Sequence, residues 1–188
     1  MHEEAEFAYE TAKESMDGAI KHLKDRLSRI RTGKADPNML DHILVEYYGA
    51  QTPLNQLANV NIPDGSTITI QPFEQGMIQA IEKAIQDADL GLNPQNNGER
   101  VIINIPPLTD ERRQQMTKTV RSESEDAKVS IRNARREAND SLKKLKKEGT
   151  ISEDEEMEAE NQVQKLTDSY TKKVDEFVSA KEEDLRSF

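Results

Sequence analysis

"SIRNARREANDSLKKLKKEG", residues 130–149, carries two helical patterns at once. Ile131, Ala134, Ala138, Leu142 and Leu145 recur at spacings of three and four, the signature of one buried helix face. The same face continues backwards through Ala127, Val120 and Met116. Thr109 is a suitable N-cap, and Asp110 and Glu111 follow where a helix dipole favours anions. Gly149 supplies the stop. The spacing therefore predicts one helix from about residue 110 to 148, roughly 55–60 Å long. Its apolar stripe is narrow, so it needs partner helices to cover it.

Two partners are visible on either side. Downstream, Ser152 and Glu155 form a capping-box pair that opens a last helix with apolar positions Ala159, Val163, Leu166, Tyr170, Val174 and Phe177. Far upstream, residues 3–30 carry Ala8, Ala12, Met16, Ala19, Leu23, Leu27 and Ile30. Three one-stripe helices predict an antiparallel bundle that buries the stripes against each other.

Residues 32–106 have a different character. "HILVEYY" (42–48), "STITI" (66–70) and "RVIINI" (100–105) are β-branched or aromatic runs of strand length. Gly49, Pro53, "PDG" (63–65) and "NPQNNG" (93–98) read as turns. Met77, Ile78, Ile81, Ile85 and Ala88 predict a short helix over 74–90. All seven prolines lie between 37 and 107. The expected fold class is α+β: an elongated three-helix bundle built from residues 1–31 and 107–188, with a small α/β domain, 32–106, inserted into it. The insert leaves and re-enters through "IRTGKA" and "IPPL", two neighbouring crossings that suit a hinge.

The chain has 188 residues, no cysteine, no tryptophan and a formal net charge of −10. Disulfides, thiolate nucleophiles and cysteine-held metals are excluded. No apolar run approaches the roughly 20 residues that span a bilayer, and the acidic start "MHEEAEFAYE" lacks a secretory signal. The expected compartment is the cytoplasm. Three histidines, His2, His22 and His42, lack nucleophile and orienting partners nearby in sequence, and no phosphate-binding glycine motif occurs. No catalytic residue, metal site or cofactor is expected. The acidic run "SEDEEMEAE" reads as a helix N-terminus complementing its dipole.

Against this acidic background the opening stretch stands out. From Lys128 to Lys147 eight basic residues meet two acidic ones, a local charge of +6 that leaves −16 on the rest of the chain. At about 100° per residue, Lys128, Arg135, Arg136, Asn139, Lys143, Lys146 and Lys147 fall within roughly 60° of Arg132, and the apolar stripe lies roughly 120° away. Only Lys144 strays. A solvated face normally alternates its signs at i and i+4; stacked like charges are unfavourable by a few tenths of a kcal/mol per pair. Arginine at the centre suits the bidentate grip of phosphate. The ridge predicts a polyanionic partner. With few aromatics to stack bases, backbone recognition of a shaped RNA is the expected mode. The candidate RNA-binding residues are Lys128, Arg132, Arg135, Arg136, Asn139 and Lys143. The rival reading is a coiled-coil chaperone or adaptor whose partner is protein.

"SIRNARREAND", with "PPLTDERR", "VEYYGAQTPLNQLA", "DLGLNP", "IRTGKADP" and "ISEDE…VQKLTD", closely resembles the bacterial ribosome recycling factor family over essentially the whole chain. A monomer is expected separately, because the bundle can satisfy its own apolar stripes. The resemblance implies a translation factor. It would bind the post-termination ribosome between the subunits and split them together with elongation factor G and GTP, freeing messenger RNA and deacylated transfer RNA. It also implies that Arg132, Arg135 and Arg136 contact large-subunit ribosomal RNA, and that Arg31, Thr32, Gly33, Pro106 and Pro107 form the hinge. Lys34 stands where many family members carry arginine.

Overall fold

The computed structural model describes residues 1–187, which form two compact units. One comprises residues 1–31 with the chain from Asp110 onward; the other is Thr32–Thr109.

The first unit is a bundle of α1 (Glu3–Ser28), α3 (Asp110–Lys147) and α4 (Glu153–Arg186). Helix α3 has 38 residues, about 57 Å at 1.5 Å each. The buried stripes are Ala5, Ala8, Ala12, Met16, Ile20, Leu23 and Leu27 on α1, and Val120, Ala127, Ile131, Ala134, Ala138 and Leu142 on α3. On α4 they include Ala159, Val163, Leu166, Tyr170 and Val174. Ile20 takes the fully inward place that the sequence pattern assigns to Ala19, which is only half-buried. A four-residue step from Met16 puts the larger side chain in the core. Met116, Leu145 and Phe177, expected in the stripe, are half-buried at its margin; the Lys24 ammonium lies 4.7 Å from the Phe177 ring centre.

Between α3 and α4 the chain reverses in five residues. Gly149, at φ 76°, ends α3: its N–H donates to the Lys146 carbonyl at 3.0 Å, and the Thr150 N–H to the Leu145 carbonyl at 2.9 Å. This pair of bonds satisfies carbonyls that the helix end leaves open, and it needs a left-handed residue that glycine adopts without strain. Ile151 is buried immediately after. The expected capping box follows. The Glu155 N–H donates to Ser152 Oγ at 3.2 Å, and the Ser152 N–H donates to Glu155 Oε2 at 2.8 Å. At the other end of the chain His2 Nδ1 accepts from the Glu4 N–H at 3.2 Å and caps α1.

Tyr170 joins α4 to α1. Its ring is 4% exposed, and its hydroxyl donates to the Asp17 carboxylate. Burial first, then that hydrogen bond, push the phenol up to about 12 from an ordinary value of 10. The folded state thus favours the protonated phenol. The stability it adds is fully present below pH 10 and is lost as pH rises through 12. An ultraviolet titration of the native protein is expected to show one tyrosine ionising about two units late, and Tyr170→Phe to remove that step. An unchanged titration in the variant would contradict the assignment.

The second unit is an α+β fold. A hairpin, β1 (Leu44–Tyr47) with β2 (Ala50–Pro53), accompanies a four-stranded antiparallel sheet. The sheet contains β3 (Ala58–Asp64), β4 (Thr67–Pro72), β5 (Pro94–Asn96) and β6 (Val101–Asn104) in the order β3-β4-β6-β5. Helix α2 (Ile78–Asp87) turns Ile78, Ile81 and Ile85 into a core shared with Val45, Leu54, Ile68, Ile70, Val101 and Ile103. It is shorter than the expected 74–90, because residues 75–77 form a 3-10 turn and the chain leaves the helix at Ala88. Strands β2, β3 and β5 were not expected from the sequence. They are polar or contain proline, and their turn residues read as loops. Tyr48 and Gly49, both at positive φ, close the β1–β2 hairpin; Gly49 marks the turn in the sequence, whereas a tyrosine at positive φ is uncommon and gives no such signal.

Entry and exit of this unit meet at one place. The Ala35 N–H donates to the Gly65 carbonyl at 2.9 Å, and the Ile105 N–H donates to the Ser66 carbonyl at 2.7 Å, so both ends are tied to the β3–β4 turn. Asp64 braces that turn by accepting from the Ser66 N–H at 2.9 Å. This bond, with help from the Thr67 hydroxyl, holds the Asp64 carboxyl below its usual range. Gly33 is buried at φ 76°, and a Cβ there would come within 3.2 Å of the Leu108 backbone nitrogen. The second unit runs on to Thr109, where the expected boundary stood at 106.

Candidate nucleic-acid interface

All six candidate RNA-binding residues lie on α3, downstream of its midpoint or close to it, where the bundle holds the helix on one side by Ala127, Ile131, Ala134, Ala138 and Leu142. Their surroundings divide the ridge into two flanks. On the flank nearer α4, Lys128 Nζ sits 2.8 Å from Asp175 Oδ1, and Lys146 Nζ lies 2.9 Å from Glu156 Oε2. Glu156 is buried apart from this contact edge. Its hydrogen bond and charge raise the Lys146 pKa above the ordinary lysine value. Arg135, half-buried, donates from Nη1 to Gln164 Oε1 at 3.3 Å. Gln164 Nε2 in turn donates to Asp168 Oδ1 at 2.9 Å.

The outer flank is open. Arg136, Lys143 and Lys147 are exposed, and no ion pair holds any of them among the described residues. Arg132 lies on the crest, with Nη2 2.8 Å from Glu125 Oε1. Both side chains are at least half exposed, so water screens that pair and it is weak. Asn139 is half-buried, and its Oδ1 is buried without a hydrogen-bond partner among the described residues. It is therefore set into the bundle's surface, unlike the exposed cations beside it. Lys144 stands aside, 4.0 Å from Glu148.

A wheel drawn for α3 alone foresees the cations but not their neighbours. Asp175, Gln164 and Glu156 belong to α4 and reach the ridge only through the antiparallel packing. The available signal was the spacing of Gln164, Asp168 and Asp175 along one edge of α4; Glu156 falls instead on its buried stripe. Glu125, seven residues before Arg132, returns to nearly the same helix face after two turns; it lies just outside the basic window.

The candidate hinge residues sit at the two crossings: Arg31, Pro106 and Pro107 are exposed, Thr32 is half-buried and Gly33 is buried. The histidines are dispersed. His2 caps α1, His22 is exposed on α1, and His42 is exposed ahead of β1. Among the described residues no group of three or more histidine, aspartate or glutamate side chains is arranged to hold a metal ion. No helix among them is long and apolar enough to cross a membrane.

Fold and surface together define an α+β protein of two units, in which a three-helix bundle presents a cationic helix edge. Relatives share this plan. The family model "Ribosome recycling factor" matches residues 23–185. The ribosome-recycling factor of Flavobacterium johnsoniae is 53% identical over 185 residues, covering 98% of each chain. The solution structure of a ribosome recycling factor superposes with a TM-score of 0.85 at 36% identity, over 100% of both chains. Models of the T. thermophilus ribosome recycling factor and E. coli elongation factor G, bound to the E. coli post-termination complex, supply a second match. It has a TM-score of 0.66 at 47% identity and covers 96% of this chain and 98% of that one. The chain belongs to the ribosome recycling factor family.

Proposed function

We propose that this protein docks the cationic edge of α3 on large-subunit ribosomal RNA of the post-termination ribosome. With elongation factor G and GTP it then separates the subunits, releasing messenger RNA and deacylated transfer RNA. The observation that carries the docking face is the outer flank. Among the described residues, Arg136, Lys143 and Lys147 are exposed and without ion pairs on one long helix of an otherwise strongly acidic chain. Phosphates meet those charges without first breaking a protein contact, and the −16 elsewhere disfavours other approaches. The bundle acts as the rigid arm. The small unit moves about the crossings at Arg31–Gly33 and Pro106–Pro107, where few residues need to change their backbone angles. GTP hydrolysis belongs to the partner factor, and this chain works as a monomeric cytoplasmic lever, not as an enzyme.

Purified post-termination ribosomes, elongation factor G and GTP provide the test, with subunit separation followed by light scattering. Adding this protein is expected to produce a rapid fall in scattering that needs all three components. No splitting above the factor-plus-GTP control would overturn the reading. A protein-binding adaptor would differ in another way: its complexes would survive RNase, whereas this one is expected to fall apart.

A further inference from the structure

We infer that Gln164 of α4 is the positioning residue for Arg135: it fixes the guanidinium for phosphate contact without neutralising it. The inference rests on the docking reading above and adds a second helix to the RNA-binding face.

The cations of the ridge are held in different ways. Lys128, Arg132 and Lys146 each face a carboxylate, on Asp175, Glu125 and Glu156. Each must give up, or share, that partner when a phosphate arrives. Arg135 is met instead by a neutral amide, Gln164 Oε1 at 3.3 Å. One of the five guanidinium N–H donors is used; four remain, and so does the whole positive charge. The amide is itself oriented. Asp168 Oδ1 accepts from Gln164 Nε2 at 2.9 Å, so the amine end points to Asp168 and the carbonyl end must face Arg135. Asp168 and Gln164 are four residues apart on one face of α4, which fixes their separation through the helix. The three side chains form a relay in which a carboxylate aligns an amide and the amide aligns a guanidinium.

Two consequences follow for binding. A long, flexible side chain that is already ordered loses less entropy on contact with RNA. A guanidinium held by a neutral group still releases its full share of counterions when it meets phosphate.

Charge and positioning are separable by substitution at Gln164, which is exposed on α4, so neither variant below removes core packing. Binding to purified vacant ribosomes is measured across a salt series. Gln164→Ala leaves every charge in place. It is expected to weaken binding about three- to tenfold, with an unchanged slope of log affinity against log salt. Gln164→Glu puts a carboxylate against Arg135. It is expected to weaken binding further and to lower the slope by nearly one, as Arg135→Ala does. In an Arg135→Ala background, Gln164→Ala should have no further effect, because nothing remains to be positioned. Wild-type binding by both Gln164 variants would overturn the relay, and so would a Gln164→Ala loss of the same size in the two backgrounds. If Arg135→Ala itself binds like the wild type, the docking face fails along with the relay. If Arg135→Ala is weak while the Gln164 variants are normal, the relay alone fails.

Discussion

Replacing Arg132, Arg135 and Arg136 together by alanine is expected to lower ribosome affinity by roughly a thousandfold at physiological salt. The figure takes about tenfold per arginine, or about 1.4 kcal/mol each. That is the lower end of what a charge-assisted hydrogen bond contributes, because Arg132 must first leave Glu125. The slope of log affinity against log salt should fall by roughly two to three, close to one for each phosphate left without its arginine. Arg132 and Arg136 are exposed and Arg135 is half-buried, so none of them fills the core and the melting temperature should barely move. Sedimentation of the variant with vacant ribosomes at several salt concentrations gives both numbers. Affinity and slope equal to those of the native chain would remove α3 as the docking face.

The largest effect on stability is expected one residue away. Ile131 is fully buried, directly before exposed Arg132 on the same helix turn. Ile131→Ala removes three carbons from the bundle core and leaves a cavity, at a cost of about 2–5 kcal/mol. The two units have separate cores, since the small unit's cluster runs from Leu40 to Ile105 and takes nothing from the bundle. Hydrogen exchange in the variant should therefore accelerate across α1, α3 and α4 and stay slow in β4 and β6. Equal acceleration in both units would show that they unfold together.

The three long helices were legible because each has one stripe repeated over many turns; Ile131 to Leu142 alone sets the buried side of α3. The capping pair Ser152 and Glu155 was legible for a similar reason, since the chemistry is local. The small sheet was only half visible. Ile68, Ile70, Val101 and Ile103 announce β4 and β6 by branching and burial, whereas β5 is three residues with proline and two polar side chains. In β3, Ala58, Val60 and Ile62 do alternate with Asn59 and Asn61, but Pro63 and the following turn hide that rhythm. The basic ridge was legible as a row of cations on one helix face. Its division into a tethered and an open flank was not, since Asp175, Gln164 and Glu156 are placed beside it by tertiary packing and lie 10 to 47 residues away from their partners in the chain.

Gly33 and Leu108 give the small unit a single doorway. Chain going in and chain coming out touch there, so closely that even a methyl group on residue 33 would press on the backbone opposite. An insertion whose two ends share one threshold leaves its host's topology untouched. The cassette between them is free to be exchanged for another, or shortened to a simple loop, without rethreading any of the three helices outside.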